Sequence, residues 1–273
     1  MLGALIIVFR EVIEAGIIVG IVMAVTKGLR GSRLMAGAGV AAGVLGACLV
    51  AAFAGAIADA LNGVGQELFN ASILSLAVCM LAWHNIWMAR HGRELAAHTK
   101  EIGEAVAAGS RSLAALAVVV GVAVLREGSE IVLFLYSLTL SGGASMWELL
   151  AGGVVGLLLG CAVSALTFFG LVKIPARYLF GVTTTLITFL AAGLAAQSVV
   201  FLQQGGLVTA LDRTVWDTSG ILRDSSLIGR VLHTLVGYTD QPSGMQAVVY
   251  AMTLLIIFSL TRLLAPTNLG GQP

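Results

Sequence analysis

The chain has 273 residues, of which 58% are hydrophobic and only 11% are charged, and its formal net charge is +1. In water-soluble globular proteins about a quarter of the residues are charged, so this composition excludes that class and predicts an integral membrane protein. A net charge this close to zero gives no reason to expect a nucleic-acid partner. The three cysteines lie inside apolar runs without metal-binding spacing, and we expect them to pack in the core.

Seven hydrophobic runs are long enough to cross a bilayer, which requires roughly 20 mostly apolar residues. They lie at about residues 2–25, 34–60, 66–89, 112–140, 146–172, 178–203 and 245–264. Before the last run, the stretch SSLIGRVLHTLVGY has a helical period of apolar residues. It predicts a short amphipathic helix, either a plain loop helix or a docking surface or lid. The sequence therefore predicts a single all-α membrane domain with seven transmembrane helices.

The distribution of Lys and Arg predicts the orientation of these spans. The first, third and fifth loops are basic, whereas the second and fourth contain no Lys or Arg. Because cytoplasmic loops hold the excess of basic residues, the three basic loops are predicted to be cytoplasmic. This places the N-terminus outside and the C-terminus inside. The loop at about 90–111 is then cytoplasmic, and the loop at about 204–244 is external.

A charged motif occurs twice within the hydrophobic runs. VFREVIEAG at residues 8–16 is echoed by VLREGSEIV at 124–132, with the arginines 116 residues apart (126 minus 10). Because the copies lie in the first and fourth spans, they cross the bilayer in opposite directions. This predicts two inverted three-helix repeats, at about 1–90 and 112–204, followed by one extra helix. Transporters built in this way bind their substrate near the bilayer midplane.

Each R-E-x-x-E copy places two glutamates on one helix face, with the arginine one turn before the second glutamate. Two copies that meet would combine four carboxylates and two guanidinium groups, a formal charge of −4 + 2 = −2, which favours a cation. Carboxylates are hard ligands, and an all-carboxylate site of adjustable geometry suits binding and release. The predicted metal ligands are Glu11, Glu14, Glu127 and Glu130. The motif arginines, Arg10 and Arg126, are expected to hold these carboxylates apart and ionised.

Other interpretations of the motif are open. It could be only a salt-bridge clamp between helices, although four buried glutamates against two arginines leave an excess of negative charge. It could belong to a membrane enzyme with a di-metal centre, but such centres usually include Glu-x-x-His pairs, and no His follows the motif glutamates at that spacing. It could also relay protons in a carrier of an organic cation.

The two motifs, and REGSE followed by LFLYSL in particular, resemble the high-affinity iron permease family, the oxidase-dependent iron transporters that include bacterial EfeU-like permeases. The resemblance implies an iron permease rather than an enzyme, located in the bacterial cytoplasmic (inner) membrane. It implies that the motif glutamates bind Fe(II) or Fe(III) in transit and that no cofactor is tightly bound. It also implies delivery of iron by an extracytoplasmic oxidase or iron-binding protein. Transport of another divalent metal is an alternative.

Several polar residues outside the motifs are secondary candidates. His84, in the third span, is either a pathway group near the inner face or a hydrogen-bonded core histidine, which is the commoner case. One face of a cytoplasmic helix either receives metal at the exit or is simply solvated; its residues are His91, Glu94, His98 and Glu101. Three external carboxylates either attract cations to the entrance or are ordinary interfacial groups, namely Asp59, Glu67 and Glu148.

Overall fold

A computed structural model describes the backbone of residues 1–60, 66–141, 145–170 and 176–264. The side chains of residues 55–60, 89–90, 92–93, 176–180, 227, 234 and 264 lie outside this description. The helices are α1 (Leu2–Val25), α2 (Ser32–Ala60), α3 (Gln66–Ala107), α4 (Ala114–Leu140), α5 (Met146–Phe168), α6 (Ala176–Gln204), α7 (Leu227–Val236) and α8 (Gly244–Leu264). Apart from one isolated bridge, between Thr214 and Ser243, the described ranges contain no β-structure. The all-α prediction is confirmed for this part of the chain.

Five of the helices contain segments long and apolar enough to cross a membrane. These segments are Ser32–Ala54, Gln66–Met88, Met146–Phe168, Gly181–Gln204 and Gly244–Leu263. Large apolar side chains cover the outer surface of the bundle, as at Phe53 (70% exposed) and Trp147 (81% exposed). A surface of this kind requires lipid rather than water around it. The protein is therefore a multi-pass membrane protein.

Helices α1 and α4 have lengths similar to those five segments, at 24 and 27 residues, but each also contains the three charged residues of its motif. The three cysteines, Cys48, Cys79 and Cys161, are exposed on the surface of the bundle, so our expectation that they pack in the core was wrong. Lipid provides an apolar environment for a thiol just as a protein core does, and hydropathy alone does not distinguish the two.

Helix α3 is longer than the span predicted for it. It continues without a break to Ala107, so the segment after residue 89 extends the helix instead of beginning a separate loop. At about 1.5 Å per residue, its 42 residues span about 63 Å, roughly twice the thickness of the hydrocarbon core. The extension packs back against the end of α1, where a Cβ at Gly103 would collide with Val25.

Glycines on α5 bring this helix into close contact with α1. A Cβ added at Gly152 would collide with the carbonyl oxygen of Met1, and one added at Gly160 would lie 2.8 Å from the Cβ of Val12. The residue numbers increase together along the interface, so α1 and α5 run parallel. Small residues allow helix backbones to approach in this way within a bilayer.

Helices α2 and α4 form a second interface of the same kind. A Cβ added at Gly39 would lie 2.5 Å from the carbonyl oxygen of Ala117, and one at Gly46 would lie 2.6 Å from Leu125. The numbering again increases together, so these helices are also parallel. In both interfaces a motif-bearing helix packs against the glycine-rich helix of the other predicted repeat.

The remaining long helices, α3, α6 and α8, pack beside this arrangement, with α3 in contact with both α1 and α4. A core cluster joins α1, α3, α4, α5, α6 and α8 at one end of the bundle. Its fully buried members include Ile7, Leu74, Phe134 and Ile187. Because α3 contacts both motif-bearing helices, its side chains can reach both motifs.

The loop between α6 and α8 contains α7, the short helix that the sequence predicts. Ser226 caps its N-terminus by accepting a hydrogen bond from the Gly229 amide, and Gly237 ends it in the left-handed conformation at φ 67°. Two aspartates pair reciprocally within this loop. The Asp224 amide donates to the Asp240 carboxylate, and the Asp240 amide donates to the Asp224 carboxylate.

Candidate metal centre

Both R-E-x-x-E motifs lie in the interior of the helix bundle. All four glutamates are buried, with exposed fractions between 0% for Glu11 and 7% for Glu130. Ionised carboxylates at such positions require nearby cations or hydrogen-bond donors, because burial without them is costly. The chemistry of the site therefore depends on what lies next to each carboxylate.

The arginines pair first with the glutamates of their own helix. Arg10 Nη1 lies 3.2 Å from Glu11 Oε1, and Arg10 Nε lies 3.0 Å from Glu14 Oε1. On α4, Arg126 Nε lies 3.2 Å from Glu130 Oε1 and 3.9 Å from Glu127 Oε1. These contacts are those expected of a salt-bridge clamp. They engage one oxygen of each glutamate.

The other carboxylate oxygens meet between the helices. Glu11 Oε2 and Glu127 Oε2 are buried and have no hydrogen-bond partner among the described residues. A clamp alone does not explain two unpaired buried oxygens, because each loses its hydration without compensation. The unpaired atoms favour a site that receives a cation.

His84 lies at the centre of this cluster. Its Nε2 is 3.2 Å from Glu14 Oε2 on α1, and its Nδ1 is 2.6 Å from Glu130 Oε2 on α4. One ligand atom each from Glu11, His84, Glu127 and Glu130 lies within 4.8 Å of all the others. No other group of three or more such residues was found in the described part of the chain.

The sequence identified His84 only as a pathway or core residue near the inner face, whereas the structure places it against both motifs. The available signal was two consecutive polar residues in an apolar span, His84 and Asn85. Both are 2% exposed, and the Asn85 amide group has no hydrogen-bond partner among the described residues.

The two sides of the cluster differ in their packing. One turn from the cluster, on the side where α1 begins, Ile7, Leu81 and Phe134 are completely buried and form an apolar layer. On the opposite side, the Arg126 side chain is 36% exposed and its guanidinium lies 4.7 Å from the centre of the Trp87 ring. By contrast, Arg10 is only 2% exposed. The cluster is therefore sealed on one side and more open on the other.

The secondary candidates lie apart from the cluster. The ring of His91 stacks on Trp87 at 5.2 Å, and the other three residues of that helix face are exposed, namely Glu94, His98 and Glu101. Glu67 is exposed in the first turn of α3. Glu148 caps α5 with Ser145 and lies 3.6 Å from Arg230. The side chain of Asp59 lies outside the described residues, and the entry and exit roles of all these residues stay predictions.

Comparison with known proteins identifies the family. The model described as the iron permease FTR1 family matches residues 1–267. Ferrous iron permease EfeU of Yersinia pestis is 30% identical over 265 residues, which cover 93% of this chain and 92% of that protein. EfeU of Shigella sonnei is 28% identical over 265 residues, covering 93% and 94%. A protein of Escherichia coli K12 named "Putative inactive ferrous iron permease EfeU" is 29% identical over 262 residues, covering 93% of this chain and 94% of that protein. No solved structure matches the chain.

The fold defines a multi-pass helical membrane protein with a buried acidic cluster between its helices. The chain belongs to the iron permease FTR1 family, and the family resemblance of the two motifs is thereby confirmed. Membership supports iron ions as the transported substrate and a permease rather than an enzyme.

Proposed function

We propose that this chain moves iron ions into the cell through a site in mid-membrane formed by the four motif glutamates. The observation that carries the proposal is the convergence of both motifs on one buried cluster with unpaired carboxylate oxygens. Family membership identifies the cation as iron. The relatives are named ferrous iron permeases, which favours Fe(II) over Fe(III) and over other divalent metals.

The helix packing supports the inverted repeat. A Cβ at Gly156 would lie 2.6 Å from the carbonyl oxygen of Leu5, and one at Gly43 would lie 2.8 Å from the carbonyl oxygen of Gly121. Each added Cβ would also lie close to the backbone nitrogen four residues later, 3.0 Å from that of Phe9 and 2.9 Å from that of Leu125. The contacted residues, Leu5 and Gly121, are 116 positions apart (121 minus 5), the same offset that separates the two motifs. We propose that residues of about 1–90 and 112–204 form the two repeats within a single permease domain.

The same packing supports seven spans. Alternating spans in a seven-helix chain make the first parallel to the fifth and the second parallel to the fourth, and the contacts of α1 with α5 and of α2 with α4 have this polarity. We therefore propose that α1 and α4 also cross the bilayer, with their charges facing the interior. From the basic loops we also propose that the N-terminus lies outside and the C-terminus inside the bacterial cytoplasmic membrane.

Transport through this site would proceed by alternating access. In the described conformation, the apolar layer of Ile7, Leu81 and Phe134 separates the cluster from the proposed outer side, and on the other side the half-buried Arg126 lies over Trp87. Iron arriving from outside requires this layer to open. Its delivery by an extracytoplasmic oxidase or iron-binding protein stays a prediction from the family resemblance.

The proposal is tested by radioactive iron uptake into proteoliposomes containing the full chain. We expect Glu127→Gln and Glu130→Gln each to lower uptake at least tenfold, because each removes a charge from the cluster with little change of shape. The matched control is Glu104→Gln, which neutralises an exposed carboxylate outside the cluster and should transport normally. Wild-type uptake in both cluster variants, at equal reconstitution, would refute the four-glutamate site.

A further inference from the structure

The position of His84 is not explained by either motif. It comes from α3, is 2% exposed, and contacts carboxylates of both motif-bearing helices. A structural histidine in a buried core has its ring nitrogens satisfied by hydrogen bonds. Here both ring nitrogens face carboxylates of the acidic cluster: Nε2 lies 3.2 Å from Glu14 Oε2, and Nδ1 faces Glu130.

The second ring nitrogen is directed into the acidic cluster. Nδ1 lies 2.6 Å from Glu130 Oε2, a distance at which a protonated ring forms an ion pair. In the neutral ring with its proton on Nε2, Nδ1 instead presents a lone pair to the cluster, as a metal ligand does. Glu11 Oε2 and Glu127 Oε2 are buried there without a hydrogen-bond partner among the described residues.

The spacing of the donors fits one ion after a small contraction. Metal–ligand bonds of about 2.0–2.2 Å place opposite ligands at most about 4.4 Å apart. One oxygen of each of Glu11, Glu127 and Glu130 and one ring nitrogen of His84 lie within 4.8 Å of one another. These separations exceed the limit by at most about 0.4 Å (4.8 minus 4.4), which is within the reach of side-chain rotation.

We infer that His84 is a direct iron ligand, through Nδ1, together with Glu11, Glu127 and Glu130. The inference rests on the proposed function and changes the ligand set from four carboxylates to three carboxylates and one imidazole. Glu14 then acts as a positioning residue, because it accepts the Nε2 hydrogen bond and orients the ring. A carboxylate that orients a ligating histidine is a common arrangement in metal sites.

This ligand set predicts metal selectivity. Oxygen donors alone suit Mg²⁺ and Ca²⁺ as well as iron, whereas imidazole suits Fe(II) and not those two ions. His84 is thus the specificity-determining residue of the site. It would allow iron to be taken up in the presence of excess magnesium and calcium.

The test uses Mn(II) as a spectroscopic probe bound to the purified full chain in detergent. Pulsed electron paramagnetic resonance detects a ligating nitrogen directly, and the chain has only four histidines. We expect nitrogen modulation in the wild type, its loss in His84→Gln, and its retention in the control His91→Gln. In His84→Glu, which makes the ligands all carboxylate, Mn(II) binding should persist while its preference over Mg(II) falls at least tenfold.

The outcomes separate this inference from the proposed function. If Mn(II) binds without nitrogen modulation, or if the modulation survives in His84→Gln, His84 is not a ligand, although loss of uptake in Glu130→Gln would still support the transport site. If Mn(II) does not bind to the wild type, the ligand assignment is overturned. Normal iron uptake by Glu127→Gln and Glu130→Gln would overturn the proposed function itself.

Discussion

The glycine interface between α1 and α5 makes a quantitative prediction for Gly156→Ala. The added Cβ would lie 2.6 Å from the Leu5 carbonyl oxygen and 3.0 Å from the Phe9 amide nitrogen. Ordinary contact begins at 3.4 Å, so the two backbones must separate by about 0.8 Å (3.4 minus 2.6). Overpacking of this kind costs about 1–3 kcal/mol. The higher helix propensity of alanine offsets up to about 1 kcal/mol of this destabilisation.

Gly37→Ala provides the control, because nothing lies within 4 Å of a Cβ at that position in α2. Both substitutions raise helix propensity, but only Gly156→Ala overpacks an interface. Gly156→Ala and Gly37→Ala should therefore differ by about 1–3 kcal/mol in free energy of unfolding. Gly43→Ala, at the corresponding position of the second interface, should behave like Gly156→Ala.

The assay is denaturant unfolding of the purified full chain in detergent micelles, followed by circular dichroism. Gly156→Ala and Gly43→Ala should unfold at lower denaturant than the wild type, whereas Gly37→Ala should unfold at the same or higher denaturant. Equal midpoints for all three variants would refute the close helix packing. Destabilisation of only one interface variant would contradict their equivalence, and with it the proposed repeat.

Two further predictions concern charged groups. Arg10→Lys should destabilise the chain more than Arg126→Lys, because the Arg10 side chain is 2% exposed and that of Arg126 is 36% exposed. In the buried position, one ammonium group cannot reproduce the contacts of a guanidinium to two carboxylates. Equal unfolding midpoints of the two variants would contradict this prediction. In the loop between α6 and α8, burial raises the pKa of Asp224. The hydrogen bond from the Asp240 amide lowers this pKa in part, and the nearby Asp240 carboxylate raises it further. The folded loop therefore holds this proton more tightly than the unfolded loop, so its stability is highest below about pH 3.9 and falls as pH rises through the higher folded pKa. Protection of the loop in hydrogen exchange should decline over that range in the wild type but not in Asp224→Asn, and identical profiles would reject the explanation.

Much of the helix layout follows from the sequence. Each of the seven apolar runs corresponds to a long helix, because a run of about 20 apolar residues satisfies its backbone only by helix formation in lipid. The sequence also predicts which side chains of each motif lie on the same side of its helix, since residues at i, i+3 and i+4 share a helix face. Within the first motif this places Arg10 against Glu14, as found, whereas its contact with Glu11 does not follow from the helix period.

The composition of the metal centre depended on the tertiary structure. His84 is separated by 70 residues from Glu14 and by 46 from Glu130 (130 minus 84), and no local period relates these positions. Only the packing of α3 against both α1 and α4 brings the imidazole to the carboxylates. The unequal exposure of Arg10 and Arg126, from identical motifs, likewise depends on what packs around each helix.

The sequence by itself determined which segments are helical, that the chain is a membrane protein, and which charged residues share a helix face. The tertiary structure decided which helices are neighbours, that α1 pairs with α5 and α2 with α4, and that the cysteines face outward. The physical reason is that lipid and protein interior are equally apolar, so hydropathy does not distinguish a lipid-facing residue from a packed one. Which helices pack together depends instead on the shape of their surfaces, here on glycines that let a neighbouring backbone approach. It depends also on buried polar atoms that require a hydrogen-bond or ion-pair partner.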